Sequence, residues 1–240
     1  MAVLHGKMLI YLMNLKMNFF KGQNFKNYFS SRNRSLTKDQ QLILESYQDK
    51  ISIESFFELE QLNEFNLKSL EIGFGTGEKL LQSAISYPDN LFIGIEYYKK
   101  GIAQLLLNIE KNKLKNVRLF YGDALDYLKV FKTNFLDEVL IMFPDPWPKK
   151  RHWKRRIINS ASVSEISRSL KSSGRVLFYT DDKGIAFWGL RHFISNSNFI
   201  WAIDKPLDCK NRISSNQITK YEHKALINNI QPYYFYFVKH

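Results

Sequence analysis

Residues 143–156 read FPDPWPKKRHWKRR. One acid, Asp145, stands between Pro144 and Pro146, with Trp147 and Pro148 after it. Prolines fix φ and remove backbone donors, so this carboxylate is held in a set direction. Six of the eight residues that follow are cationic: Lys149, Lys150, Arg151, Lys154, Arg155 and Arg156. A stiffly held anion next to a block of positive charge suits a polyanion that carries flat rings. The cations would meet phosphates, and Trp147 would stack on a base or line a pocket. Taken alone, the basic run also suits a solvated helix start.

A second set of chemical groups lies upstream. LEIGFGTGE at 70–78 contains Glu71, Gly73, Gly75 and Gly77. Such glycines permit a tight turn and let a ligand approach the backbone. A nicotinamide-binding fingerprint spaces its glycines G-x-G-x-x-G. Here the third glycine comes one position early, and Glu71 would repel a pyrophosphate. An ammonium group and a sulfonium centre fit this acid far better. Glu96, at the end of a second apolar run, is placed to accept from two ribose hydroxyls, or is an ordinary strand-end acid. Asp123, in GDA after a third run, either accepts from an adenine amino group or caps a helix. Together they describe a pocket for S-adenosyl-L-methionine.

These groups fall at the ends of regular elements. Short apolar runs, at 67–72, 91–96, 117–121, 137–143 and 175–180, alternate with helix-like segments, the last of them from about 153 to 170. Near-continuous apolar strands separated by helices indicate a parallel sheet covered on both faces. Ligands of such sheets bind beyond the carboxyl ends of the strands. Glu71, Glu96, Asp123, Asp145 and Asp181 all fall at that edge. Two more strands are expected at 199–203 and 232–238, with no helix of similar length between them. The Asn-, Ser- and Lys-rich stretch at 204–231 reads as a long functional loop.

The bulk properties agree. The chain of 240 residues carries a formal charge of +12, which favours a polyanionic partner. Residues 1–40 hold seven Lys or Arg against Asp39, a basic arm, and residues 41–65 are acidic. The arm, 1–37, is expected to be partly disordered, with one domain over 38–240. The single cysteine, Cys209, excludes a disulfide framework and suits a reducing cytosol. The five histidines show no metal spacing, so no metal is expected. No run reaches the length of a membrane span, and MLIYLMNL at 8–15 lacks the cleavage site of a signal peptide. A cytoplasmic protein that does not engage a membrane is expected.

LEIGFGTGE, Glu96, GDA and the PDPW-x-K-x-RH-x-KRR segment resemble the bacterial tRNA (guanine-N7)-methyltransferase family. Thr180-Asp181 and the late Thr219-Lys220-Tyr221-Glu222 match its motifs as well. The resemblance covers about residues 25 to 240. It implies a Rossmann-like class I methyltransferase fold, a seven-stranded, mostly parallel sheet whose last strand is antiparallel. It implies methyl transfer from S-adenosyl-L-methionine to N7 of guanosine 46 in the variable loop of tRNA, by a monomer or homodimer. Glu71, Glu96, Asp123 and Asp145 would contact the donor, with Asp145 also catalytic. Lys149, Asp181 and Thr219 through Glu222 would contact the tRNA or its target guanine, and Lys150, Arg151, Arg155 and Arg156 its phosphates. Glu222 alternatively only structures its loop. Ser31 to Thr37 departs from the family's Arg- and Gly-containing pattern, which leaves the roles of Arg32 and Arg34 open. Two other classes remain: a nonenzymatic RNA-binding protein on a methyltransferase scaffold, and a dinucleotide-dependent oxidoreductase.

Overall fold

The computed structural model describes residues 35–47, 64–203, 205–212 and 218–240. The expected basic arm, with Arg32 and Arg34, lies outside the described residues except at its last positions. So does most of the acidic stretch at 41–65.

The described residues form one seven-stranded sheet: β1 (Lys68–Ile72), β2 (Leu91–Glu96), β3 (Val117–Tyr121), β4 (Leu136–Met142), β5 (Leu170–Thr180), β6 (Phe199–Trp201) and β7 (Tyr233–Lys239). Their spatial order is β3-β2-β1-β4-β5-β7-β6. β1 to β5 pair in parallel, and β7 runs antiparallel to both β5 and β6. The strand order reverses between β1 and β4, the switch point at which open α/β sheets bind ligands.

Alternation within the strands explains why they read as continuous apolar runs. On one face Leu70, Ile72, Val139, Ile141, Val176 and Phe178 pack under α4 (Ala124–Val130), α5 (Ser160–Ser169) and α6 (Lys183–Ile194). On the other face, Phe92, Val117 and Leu119 pack under α2 (Glu78–Ser86) and α3 (Lys99–Asn112). α1 (Lys38–Ser46) starts on a Thr37–Gln40 capping box and adds Ile43 and Leu44 to that cluster. Both faces are therefore buried, as in other parallel sheets.

Three expectations change. The helical segment expected over about 153–170 is two elements, a 3-10 helix at Lys150–Arg155 and then α5, whose N-cap is Asn159. The stretch at 204–231 is not simply a loop. It contains a 3-10 turn at Pro206–Lys210 and a helix, α7 (Lys220–Ile227), capped by Thr219. A helix therefore does lie between β6 and β7. Among the described residues, no helix is long and apolar enough to cross a membrane.

Candidate functional site

The turn after β1 is built by left-handed glycines. Gly73, Gly75 and Gly77 have φ of 72°, 59° and 73°, a region that favours glycine. The first turn of α3 presses against this loop so closely that a methyl group at Gly101 would lie 1.9 Å from the Gly75 carbonyl oxygen. A methyl group at Gly73, by contrast, would meet nothing within 4 Å among the described residues, so they leave the loop open there.

Glu96 ends β2 and reaches back to the same loop. Oε2 accepts from the Gly75 N–H at 2.7 Å, and Oε1 from the N–H groups of Tyr97 and Tyr98 at 2.6 and 2.9 Å. A carboxylate has about four acceptor positions, so this arrangement leaves room for about one further donor, fewer than the two ribose hydroxyls expected. Burial raises the pKa of Glu96 against these three bonds, and the charge of Asp145 raises it further. Gly122 N–H donates to the Glu96 carbonyl at 3.1 Å, which brings the turn after β3 alongside. Asp123 in that turn is the N-cap of α4, its Oδ1 accepting from Leu125 N–H at 2.8 Å.

Glu71 lies lower, on the β1 face that it shares with Ser69. It is 7% exposed and lines a cavity of about 300 Å³ with Lys79, Glu138, Arg175, Tyr179 and Arg212. Burial pushes its pKa up to about 8. Lys79 opposes this shift, and Glu96 and Glu138 add to it. Burial likewise lowers the pKa of Lys79, against the pull of Glu71 and Glu138. Glu138 faces Arg175 across the β4–β5 pairing and is bonded by it at 2.6 Å and by the Ser69 hydroxyl at 2.9 Å. These polar cavity residues were missed in the sequence. The sequence signal for two of them is a charged residue at the start of an apolar run, Glu138 in DEVLIMF and Arg175 in RVLFYT.

The turn after β4 is the proline-rich one. Phe143 and Trp147, on either side of Asp145, take φ of 50° and 41°, a costly conformation for residues of their size. Phe143 N–H donates to the Tyr179 carbonyl at 2.8 Å, tying this turn to β5. Asp145 is exposed, as are Lys149, Lys150, Arg151 and Lys154. Arg155 lies over the Trp147 ring at 4.8 Å, and His152 meets the edge of that ring at 5.7 Å.

Arg156 departs from the expected phosphate-facing position. It is 9% exposed, and its guanidinium points inward, donating to the Pro146 carbonyl at 3.1 Å and the Trp147 carbonyl at 3.3 Å.

Asp181 is exposed at the end of β5, and Asp182 beside it caps α6 through Ile185 N–H. The Thr219–Glu222 motif divides. Thr219 and Glu222 form a capping box, Lys220 and Tyr221 are exposed, and Tyr221 reaches to 3.8 Å of where a Gly75 methyl would sit. Glu222 is fully buried. It accepts from Arg212 at 2.5 and 3.3 Å, from the Tyr234 hydroxyl at 2.9 Å and from Thr219 N–H at 3.3 Å. Its acceptor positions are thus used inside the protein, unlike those of a group exposed to read a base.

The glycine loop, Glu96, the Asp123 turn and Tyr221 therefore meet at one rim, with Glu71 beneath and Asp145 coupled to Glu96. Residues 66–234 match a family described as putative methyltransferase. A tRNA (guanine-N(7)-)-methyltransferase of Wolbachia pipientis is 35% identical over 207 residues, covering 86% of this chain and 89% of that protein. The chain belongs to the bacterial tRNA (guanine-N7)-methyltransferase family. A relative of the same description from Nitrobacter winogradskyi is 38% identical over 157 residues, 65% of this chain and 61% of that protein. The chain thus spans about three fifths of the length of that and similar relatives. Among solved structures, the 16S rRNA methyltransferase KamB aligns with a TM-score of 0.55 at 11% identity, covering 79% of this chain and 94% of that one. That likeness bears on the fold alone, a class I methyltransferase sheet.

Proposed function

We propose that the protein transfers a methyl group from S-adenosyl-L-methionine to N7 of guanosine 46 in the variable loop of tRNA, forming 7-methylguanosine. The observation that carries this reading is the convergence of the left-handed glycine turn, Glu96 and the Asp123 turn at one edge of the sheet, with exposed Asp145 and its run of exposed cations at the neighbouring strand end. The family supplies the substrate class.

The residues present suit the donor. Glu71 is a buried carboxyl facing a cavity, matched to an ammonium group. Gly73 is open to a ligand backbone-on, while Gly75 and Gly77 hold the turn. Glu96 retains an acceptor position for a ribose hydroxyl, and Asp123 has a second carboxylate oxygen for an adenine amino group. When bound, S-adenosyl-L-methionine supplies an electrophilic methyl group on a sulfonium centre.

Guanine N7 has a lone pair and no proton, so no base is needed to create the nucleophile. The product ring is cationic, and catalysis rests on alignment and on negative charge where positive charge develops. Asp145 fits both needs: fixed by its turn, it accepts from the N1–H and N2–H edge of guanine and faces the charged ring. Asp181, Thr219, Lys220 and Tyr221 border the base, and Glu222 holds the start of the helix that presents the last three. Lys149, Lys150, Arg151 and Arg155 bind phosphates.

The test is transfer of labelled methyl to unmodified tRNA transcripts carrying guanosine or adenosine in the variable loop, followed by nucleoside analysis. Labelled 7-methylguanosine from the first transcript alone is expected. Equal labelling of both transcripts, or none, rejects the reading.

A further inference from the structure

We infer that Arg156 is a positioning residue for methyl transfer, holding the Asp145 turn from beneath through the carbonyls of Pro146 and Trp147. This rests on the proposed function above and adds to it a residue that touches neither donor nor base.

A turn containing Pro144, Pro146 and Pro148 lacks three backbone donors and cannot brace itself with the usual ladder. Its carbonyls must be fixed by something else. Nε of Arg156 donates to the Pro146 carbonyl and Nη2 to the Trp147 carbonyl, at 3.1 and 3.3 Å, so a single planar fork grips consecutive carbonyls immediately after Asp145. Trp147 itself sits at φ 41°, a conformation that persists only when its surroundings enforce it.

The fork is itself fixed. Its carbon lies 4.9 Å from the Trp153 ring centre and 4.7 Å from that of Trp188. The two rings are 5.3 Å apart, and the Trp188 indole N–H donates to the Ile158 carbonyl at 2.6 Å. Trp153 comes from the 3-10 helix and Trp188 from α6, which starts at the turn holding Asp181. Asp182 is close enough for its charge to act on the guanidinium. Arg156 therefore ties the turn after β4, which carries Asp145, to α6, the helix that begins next to Asp181. Arg156 is the C-cap of the 3-10 helix, its N–H donating to the Trp153 carbonyl at 3.0 Å, and there the backbone turns to extended geometry.

The experiment compares wild-type protein with Arg156→Lys, which keeps the charge but offers a point rather than a planar fork, and with Trp188→Phe, which shrinks one wall around Arg156. Single-turnover transfer is measured at saturating donor and tRNA. Kd values for S-adenosylhomocysteine and for tRNA, and the thermal transition, are measured alongside. Arg156→Lys is expected to slow transfer by about 10- to 100-fold, the effect of misplacing a reacting group by a fraction of an ångström to an ångström. Both Kd values should stay within about 3-fold, since the phosphate contacts and donor loop are untouched. Trp188→Phe should shift transfer in the same direction, and it carries the test if Arg156→Lys does not fold. Transfer at the wild-type rate in the folded variants overturns the inference. So does a loss confined to tRNA Kd, with the saturated rate intact, because Arg156 would then be a phosphate contact. Wild-type protein that methylates no tRNA rejects the functional reading and this inference together. An active wild type with equally active variants rejects the inference alone.

Discussion

At the scale of single residues, the site contains two carboxylates in opposite settings. Asp145 is exposed on a stiff turn, while Glu71 is buried, with a pKa near 8. Asp145→Ala should bind tRNA almost normally yet lose roughly 10²-fold or more in turnover, the scale of one preorganised electrostatic group. Turnover under saturating substrate checks this, and a near-normal value removes Asp145 from the mechanism. For Glu71, a bound ammonium favours the ionised form, so donor binding expels its proton below pH 8. Affinity for S-adenosylhomocysteine, which keeps the ammonium, should rise with pH and level off above about 8. Titration across pH 6 to 9 tests this, and the trend should vanish in Glu71→Gln. Stability runs the other way. The folded pKa lies above the ordinary 4.5, so this group favours folding at low pH, and that contribution is lost as pH rises through 8. Unliganded Glu71→Gln should therefore resist urea better than wild type above pH 8, although it binds donor poorly.

At the scale of elements, the glycine loop depends on close contact with the start of α3. Gly101→Ala would drive a methyl group against the Gly75 carbonyl oxygen, and backbone must shift to admit it. About 1–3 kcal/mol of stability should be lost, the usual range for overpacking, with a weaker donor Kd. Urea unfolding and donor titration read the two effects. Much of this level was legible: the glycine spacing, the strand-end acids and the proline turn each have a direct backbone reason. Less legible was anything decided by which way a side chain turns. FPDPWPKKRHWKRR reads as uniform positive charge, yet it divides into exposed Lys149, Lys150, Arg151 and Lys154, stacked Arg155 and buried Arg156. The helix α7 was hidden by a composition typical of loops, although its Thr219-x-x-Glu222 capping box was present in the sequence. Its carboxylate reads either as a contact group or as a brace for its loop, and nothing local announces Arg212 and Tyr234, the partners that bury it.

At the scale of the whole molecule, the charge of +12 includes an exposed group beside Asp145. Neutralising Lys149, Lys150 and Arg151 together should weaken tRNA binding and flatten the log–log salt slope by about 2 to 3 units. An unchanged slope would place the phosphate contacts elsewhere. The sheet itself was legible because parallel strands buried on both faces leave little choice of residue. The strand order was not, since pairing across the sheet has no local signature.

That order separates the sequence of synthesis from the sequence of assembly. β6 precedes β7 in the chain but is joined to the sheet through it, β7 lying between β5 and β6. As the chain emerges from the ribosome, β6 appears before the strand it pairs with, and Phe178 and Phe193 await the rings of Phe235 and Phe237 that stack on them. A translational pause before Tyr233 would leave the nascent protein with an aromatic seam open to chaperones.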